Sequence, residues 1–339
     1  MKLSFSKHLL TFKKPAKTSR GEYLEKPSWL IQLSENGKTG VGEASPLADL
    51  STDGQVDVLA RLNQLPEEIS DDTIEDYLER WKPGNAEALP AVRFGLHCAL
   101  LDLKSGGNGI WINSGFTRFE QGIPINGLVW MNNIEQMEEE AQLKIQKGFR
   151  CIKFKVGALD FDAECKLLER LRKNHSAFKL EIRLDANGAF ETDTALEQIK
   201  ELRRFEIHSI EQPVKPGYAL LDKICAESTI PVALDEELIG HSLESGAALI
   251  KQTKPRYIVL KPTLLGGLDL CDGWIQMAEN TQTKWWATSA LEGNLGLFAI
   301  SQWVSQYENK LHQGLGTGSL FVQNFPSKTD VKGEFLWRI

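Results

Sequence analysis

The sequence predicts an α/β barrel of the (β/α)8 type, preceded by an α+β region. Two observations carry this. From about residue 121, eight short apolar runs alternate with longer amphipathic stretches over roughly 200 residues, the length such a barrel needs. No G-x-G-x-x-G follows a strand, as the first turn of a doubly wound open sheet usually would.

Taken in order, "SWLIQLSENGKTGVGEASP" alternates apolar residues around Asn36 and Gly37, a hairpin signal with its turn at that pair. The stretch "GEASPLADLSTDG", residues 42–54, reads as a loop with glycines at its ends. Amphipathic helices follow, the last being "PAVRFGLHCALLDLKSGG", stopped by Gly106 and Gly107. The eight barrel runs are "IPINGLVW", "CIKFKV", "KLEIRLD", "IHSIEQP", "IPVALDE", "RYIVLKP", "TKWWATS" and "LHQGLG". Between them lie helical patterns such as "NIEQMEEEAQLKIQKG" and "DFDAECKLLERLRKN", headed by the capping residues Asn133 and Asp160.

Composition narrows the function classes. With 42% hydrophobic and 25% charged residues and a net charge of −7, the chain gives no sign of attraction to nucleic acid or anionic membrane. Five scattered cysteines, never in a C-x-x-C pair, suggest neither a disulfide framework nor a zinc knuckle. The N-terminal apolar piece is too short for a secretory signal, and no run approaches a membrane span. A cytoplasmic protein acting on a small molecule is the expectation, and the oligomeric state is not legible.

In such a barrel the chemistry lies at the C-terminal ends of the strands. The second run ends with Lys153 and Lys155, and the third in "RLDANG" with Asp185 and Asn187. The fourth ends with Glu211, the fifth with Asp235 and Glu236, and the sixth with Lys261. From Lys155 through Asp185, Glu211 and Asp235 to Lys261 the steps are 30, 26, 24 and 26 residues, each close to one β/α unit. Singly, each residue has an ordinary explanation: a snorkelling lysine, an Asx turn, a polar strand end, a helix cap. Independent decorations would have no reason to repeat with the barrel period, so the five are expected around one mouth. Three carboxylates flanked by lysines in a partly dry cup need compensation. Oxygen-only ligation with no His or Cys nearby favours Mg²⁺, with Mn²⁺ as a substitute. Arg183 shares the inward face with Asp185 by the two-residue rule, to bind a carboxylate or brace the ligands. The six histidines show no metal-binding spacing at a strand end.

The set "KFK", "LDANG", "IEQP", "LDE" and "LKP" resembles the enolase superfamily, specifically its muconate-lactonizing subgroup, and the resemblance covers essentially the whole chain. It implies a modified (β/α)7β barrel over residues 119–319. An α+β capping domain over residues 1–118 would receive the returning tail, residues 320–339, and "GEASPL" resembles the mobile loop that closes over substrate. The resemblance further implies that Asp185, Glu211 and Asp235 hold Mg²⁺, which binds the substrate carboxylate and stabilises the enediolate formed on proton loss. Lys155 would be the base, kept neutral by desolvation and by the second ammonium of Lys153. Lys261 would stabilise the developing charge, or serve as a second acid/base in an epimerase. Asn187 and Glu236 would support the site, and Ser289, Gly316 and Thr317 would meet substrate.

Within the subgroup, "LKPTLLGG", "SALEGNLG" and "GLGTGSLF" most resemble the dehydratases of menaquinone biosynthesis. That implies syn loss of water with Lys155 serving both proton transfers. The alternatives are an N-succinylamino-acid racemase and a dipeptide epimerase. Dipeptide epimerases carry D-x-D on the last strand, where "LGTGS" here has no acid.

Overall fold

The structure is a computed structural model that describes residues 1–18 and 21–339. Three antiparallel strands, β1 (Lys2–Thr18), β2 (Gly21–Glu35) and β3 (Lys38–Ala44), form the first sheet. Asn36 and Gly37 join β2 to β3 with φ of 50° and 76°. That paired left-handed conformation is what a two-residue hairpin turn requires, so the hairpin lies where the alternation places it. Helices α1 (Val58–Leu62), α2 (Asp71–Arg80) and α3 (Pro90–Lys104) follow. The chain leaves α3 through Gly106 and Gly107, both at positive φ.

Helix α3 departs from the amphipathic helix expected, because 12 of its 15 residues are buried. Val92, Leu96 and Ala99 pack with Ile31 and Leu33 of the first sheet. Phe94 and Cys98 belong to the barrel core. The helix reaches the sheet this closely only through paired glycines: a Cβ on Gly42 would lie 1.9 Å from the Gly95 carbonyl oxygen.

The barrel then runs β4 (Ile123–Pro124), β5 (Gly127–Val129), α4 (Ile134–Gln146), β6 (Cys151–Lys155), α5 (Phe161–Asn174), β7 (Glu181–Asp185) and α6 (Ala195–Leu202). It continues β8 (Ser209–Glu211), α7 (Leu221–Glu227), β9 (Val232–Leu234), α8 (Leu243–Thr253), β10 (Tyr257–Leu260), α9 (Leu268–Asn280), β11 (Lys284–Ala287) and α10 (Asn294–Val304). Asn133 and Asp160 cap α4 and α5 as expected. Strands β5 to β11 form one parallel sheet in sequential order.

The eighth run closes the ring as two parallel bridges, Ile125 to Gln313 and Thr288 to Gly314. The Gln313 side chain stands in for a missing ladder bond, its Oε1 accepting from the Ala287 amide at 2.7 Å. With no helix after this last segment, the fold is the (β/α)7β barrel.

The tail divides. Residues 320–322 return to the first sheet, where the Val322 amide donates to the Thr11 carbonyl at 2.8 Å. The following hairpin, β12 (Thr329–Lys332) and β13 (Phe335–Arg338), pairs with β4 at the N-terminal end of the barrel. The return of the whole 320–339 segment to the capping domain is therefore corrected. Leu336 is buried opposite Ile123, giving this piece of tail its own apolar reason to stay on the barrel.

At that same closed end His208 is largely buried, with Nε2 3.2 Å from the Tyr257 hydroxyl and Nδ1 3.0 Å from Ser209 Oγ. Burial, against the pull of Glu181, lowers its pKa from 6.5 to about 4. The unfolded chain thus takes up this proton near 6.5 and the folded chain only near 4. The resulting stabilisation is complete above 6.5 and is lost as the pH falls toward 4, an effect of roughly 3 kcal/mol at most. In urea titrations, His208→Gln should flatten the loss of stability between pH 6.5 and 4. An unchanged slope would mean that His208 plays no part in the acid response.

Candidate active site

Strand alternation builds the floor of the barrel mouth. In β6, Ile152 and Phe154 join the core beneath the helices, leaving Lys153 and Lys155 to point inward. In β7, Ile182 and Leu184 do the same and leave Arg183 and Asp185 inward. The register sets Lys155 beside Asp185 and Asp185 beside Glu211. Asp235 follows directly on β9 and Lys261 on β10. All six of these lysines and carboxylates are at most 8% exposed.

Lys153 Nζ donates to Glu211 Oε1 at 2.5 Å and lies 2.7 Å from Asp185 Oδ2. Lys155 Nζ donates to Asp185 Oδ2 at 2.6 Å and to Asn187 Oδ1 at 2.7 Å. Lys261 Nζ donates to Asp235 Oδ2. Asn187, at φ 46°, turns its amide to donate to Glu236 Oε1 at 2.8 Å.

The charges sort themselves. Burial lowers the pKa of Lys155; Asp185 opposes this, and the Lys153 and Lys261 ammoniums reinforce it. For Lys261, burial works downward but the Asp235 carboxylate prevails and raises the pKa. Lys153 is likewise raised against its burial by Asp185 and Glu211. Burial would raise Asp185, yet Lys153 and Lys155 hold it well below the usual carboxylate range. Glu211 is pushed well above that range, by burial first and then by the charge of Asp185. One lysine of the three is thus biased toward the neutral amine, and two are held as ammonium.

By its chemistry the donor set suits a hard divalent cation, although with the carboxylates paired to Lys153, Lys155 and Lys261 one oxygen from each of the three does not come within 4.8 Å of the other two. Asp185, Glu211 and Asp235 offer only oxygen, and Glu211 Oε2 is buried without a hydrogen-bond partner. The only group of Cys, His and acidic side chains with ligand atoms within 4.8 Å of one another, among the described residues, is Cys151, Glu181 and His312. These lie at the opposite end of the barrel, where Arg183 already pairs with Glu181 at 2.7 Å.

Above the lysines is a cavity open toward solvent, walled by Leu47, Leu50, Leu128 and Trp130 among others, with no Asp or Glu among its described lining residues. Ser289, Gly316 and Thr317 all stand on this wall. The Ser289 hydroxyl is already donated to Glu292 Oε2 at 2.6 Å. Asn187 and Glu236 instead border a neighbouring cleft beyond Leu50.

Arg183 is corrected: it does not line the cavity. Two residues below Asp185, it sits roughly 6.6 Å deeper in the barrel. There it donates to Glu181 Oε1 at 2.7 Å and to the His312 carbonyl at 2.8 Å, and stacks over Trp286 at 4.3 Å. Its place is a brace beneath the floor, not a contact for substrate. The mobile loop expected over residues 42–54 is also anchored near both ends. Glu43 is buried, and Asp53 Oδ2 accepts from the Ala91 amide at 2.9 Å. Only its middle, with Leu47 and Leu50, overhangs the cavity, where Asp49 accepts from the Tyr23 hydroxyl at 2.5 Å.

Sequence reasoning missed several neighbours. Buried Gln212, at φ 37°, accepts from the Asp235 and Glu237 amides at 3.2 and 3.1 Å and so aligns the ends of β8 and β9. Asn126 and Thr288 line the cavity, and with Thr317 they present Asn126 Oδ1, Thr288 Oγ1 and Thr317 Oγ1 buried without a partner. For Asn126 and Thr288 the signal available was their place in the first and seventh barrel runs, on the side away from the carboxylates.

This fold and this strand-end constellation define a class. Residues 136–334 match the family described as enolase C-terminal domain-like, and residues 19–103 match the MenC N-terminal domain. The chain belongs to the enolase superfamily. It is 42% identical to an o-succinylbenzoate synthase of Desulfotalea psychrophila over 99% of this chain and 98% of the relative, which places it in the o-succinylbenzoate synthase family. The crystal structure of MenC from Desulfotalea psychrophila superposes with a TM-score of 0.89 at 39% identity, covering 99% of each chain. A Bacillus subtilis L-Ala-D/L-Glu epimerase complex shares the fold, with a TM-score of 0.85 at 19% identity over 100% of this chain and 96% of the other.

Proposed function

We infer that the chain is an o-succinylbenzoate synthase, a lyase that removes water from 2-succinyl-6-hydroxy-2,4-cyclohexadiene-1-carboxylate to give 2-succinylbenzoate in menaquinone biosynthesis. The observation that carries this reading against the epimerase one is the cavity wall. A dipeptide amine needs a carboxylate partner, and no Asp or Glu lines the cavity among its described residues. Apolar walls with neutral polar atoms at Asn126, Thr288 and Thr317 suit instead a ring bearing a succinyl arm, whose keto group and terminal carboxylate bring no cation that needs an acidic partner.

In this reading Asp185, Glu211 and Asp235 would hold Mg²⁺, which when bound supplies a Lewis acid for the substrate carboxylate. Lys155, as neutral amine, takes the proton from the carbon bearing that carboxylate. The same ammonium then returns a proton to the β-hydroxyl on the same face. The C–H and C–O bonds break, the ring gains a double bond and becomes aromatic, and water leaves. The Lys261 ammonium, anchored by Asp235, faces the negative charge as it develops. Lys153 ties Glu211 to Asp185 and keeps a second positive charge beside the base.

The test is direct: formation of 2-succinylbenzoate from the cyclohexadiene precursor, with and without Mg²⁺. Failure to form product with metal present, together with racemisation of an N-succinylamino acid, would replace this reading.

A further inference from the structure

Helix α10 begins at Gly293, which has no side chain to cap it. Two of its first amides are nevertheless satisfied from the other domain, and that of Asn294 by Asn324 Oδ1. Glu43, 1% exposed on β3, accepts from the Gly293 amide at 2.6 Å and the Ser28 hydroxyl at 2.8 Å through Oε1, and from the Gly296 amide at 2.8 Å through Oε2. The four residues before Glu292 form the cavity wall, Thr288 to Leu291. This wall is bent at Leu291, held at φ 62°, a left-handed conformation that a leucine keeps only when its surroundings enforce it.

The enforcing groups are all buried. Glu292 accepts from the Ala290 amide at 3.0 Å, the Thr263 hydroxyl at 2.6 Å and the Ser289 hydroxyl at 2.6 Å. Lys26, again from the first sheet, donates to the Ala290 carbonyl at 3.1 Å and to the Ser45 carbonyl at 3.0 Å. One end of the wall is thus fastened by the barrel and the other by the first sheet.

We propose that Glu43 is a positioning residue for substrate: by capping α10 from the neighbouring domain, it holds the 288–291 wall in its bent form. It touches none of the reacting groups, so its loss acts on binding and leaves the lysines and carboxylates in place. The proposal rests on the dehydratase reading only for its choice of substrate. Wild-type turnover tests that reading, and the ratio of variant to wild type tests this one.

Glu43→Gln keeps the shape but turns an N–H toward a backbone N–H. It should raise KM about tenfold with kcat within about twofold, and speed amide exchange in the 288–291 segment while strand 151–155 stays protected. The exchange readout needs no substrate. A lowered melting temperature with unchanged KM and unchanged exchange at 288–291 would reduce Glu43 to a structural residue and overturn the proposal, as would a fall in kcat at unchanged KM. Should Glu43→Gln not fold, Ser28→Ala, which removes one of the three donors, carries the test: a smaller rise in KM at constant kcat supports it, and an unchanged KM overturns it.

Discussion

Replacing Lys155 with alanine should lower turnover by roughly 10²–10⁴-fold, the range a positioned acid/base group supplies, and end exchange of the substrate α-proton with D2O. The one-base reading requires both losses together. Lys261→Ala should also abolish product formation, because a charge stabiliser is removed, and its exchange should still depend on Lys155. A racemase would behave otherwise. Each single variant would keep exchange on the enantiomer served by the remaining lysine, and that pattern on N-succinylamino acids, without dehydration, would overturn the assignment of roles. Because Lys155 also contacts Asp185 and Asn187, the fold and metal affinity of the variant are measured alongside its exchange.

Stripping divalent metal with EDTA should reduce turnover below detection, and Mg²⁺ or Mn²⁺ should restore it. Asp235→Asn should weaken metal affinity measured by calorimetry while leaving the folded barrel intact, because Asp235 stands at a strand end and contributes no apolar packing. Substituting Asp235 also frees Lys261 from its ion pair. The same variant should therefore lose turnover beyond what added metal recovers. Full activity in metal-free buffer would remove the cation from the mechanism.

What the sequence disclosed and what it concealed follow from strand geometry. Lys155, Asp185, Glu211, Asp235 and Lys261 were legible because a charged residue ending an apolar run is conspicuous and because their spacing follows the β/α period. Arg183 shows the limit of that logic. Alternation gives the face a side chain points to, but not its height along the barrel, and two residues down was enough to put Arg183 under the floor with Trp286. Asn126 and Thr288 are single uncharged residues in apolar runs, so nothing local separates them from ordinary strand positions. Glu43 falls within the apparent loop motif "GEASPLADLSTDG", but its partners Gly293 and Gly296 lie 250 residues or more away, and no periodicity links them. The tail divides for a similar reason: Leu336 meets Ile123 through a strand pairing more than 200 residues apart in sequence.

The double burial of α3 bears on how the molecule comes apart. Its Val92 side completes one apolar cluster and its Phe94 side completes the other. A boundary drawn at residue 118 therefore passes beside a shared wall, not through a linker. Neither half can melt while the other stays shut, since losing the helix opens both interiors to water at once. Denaturation should register as one cooperative event across the whole chain, and a barrel expressed from residue 119 onward would emerge with an uncovered apolar seam, prone to aggregate during synthesis.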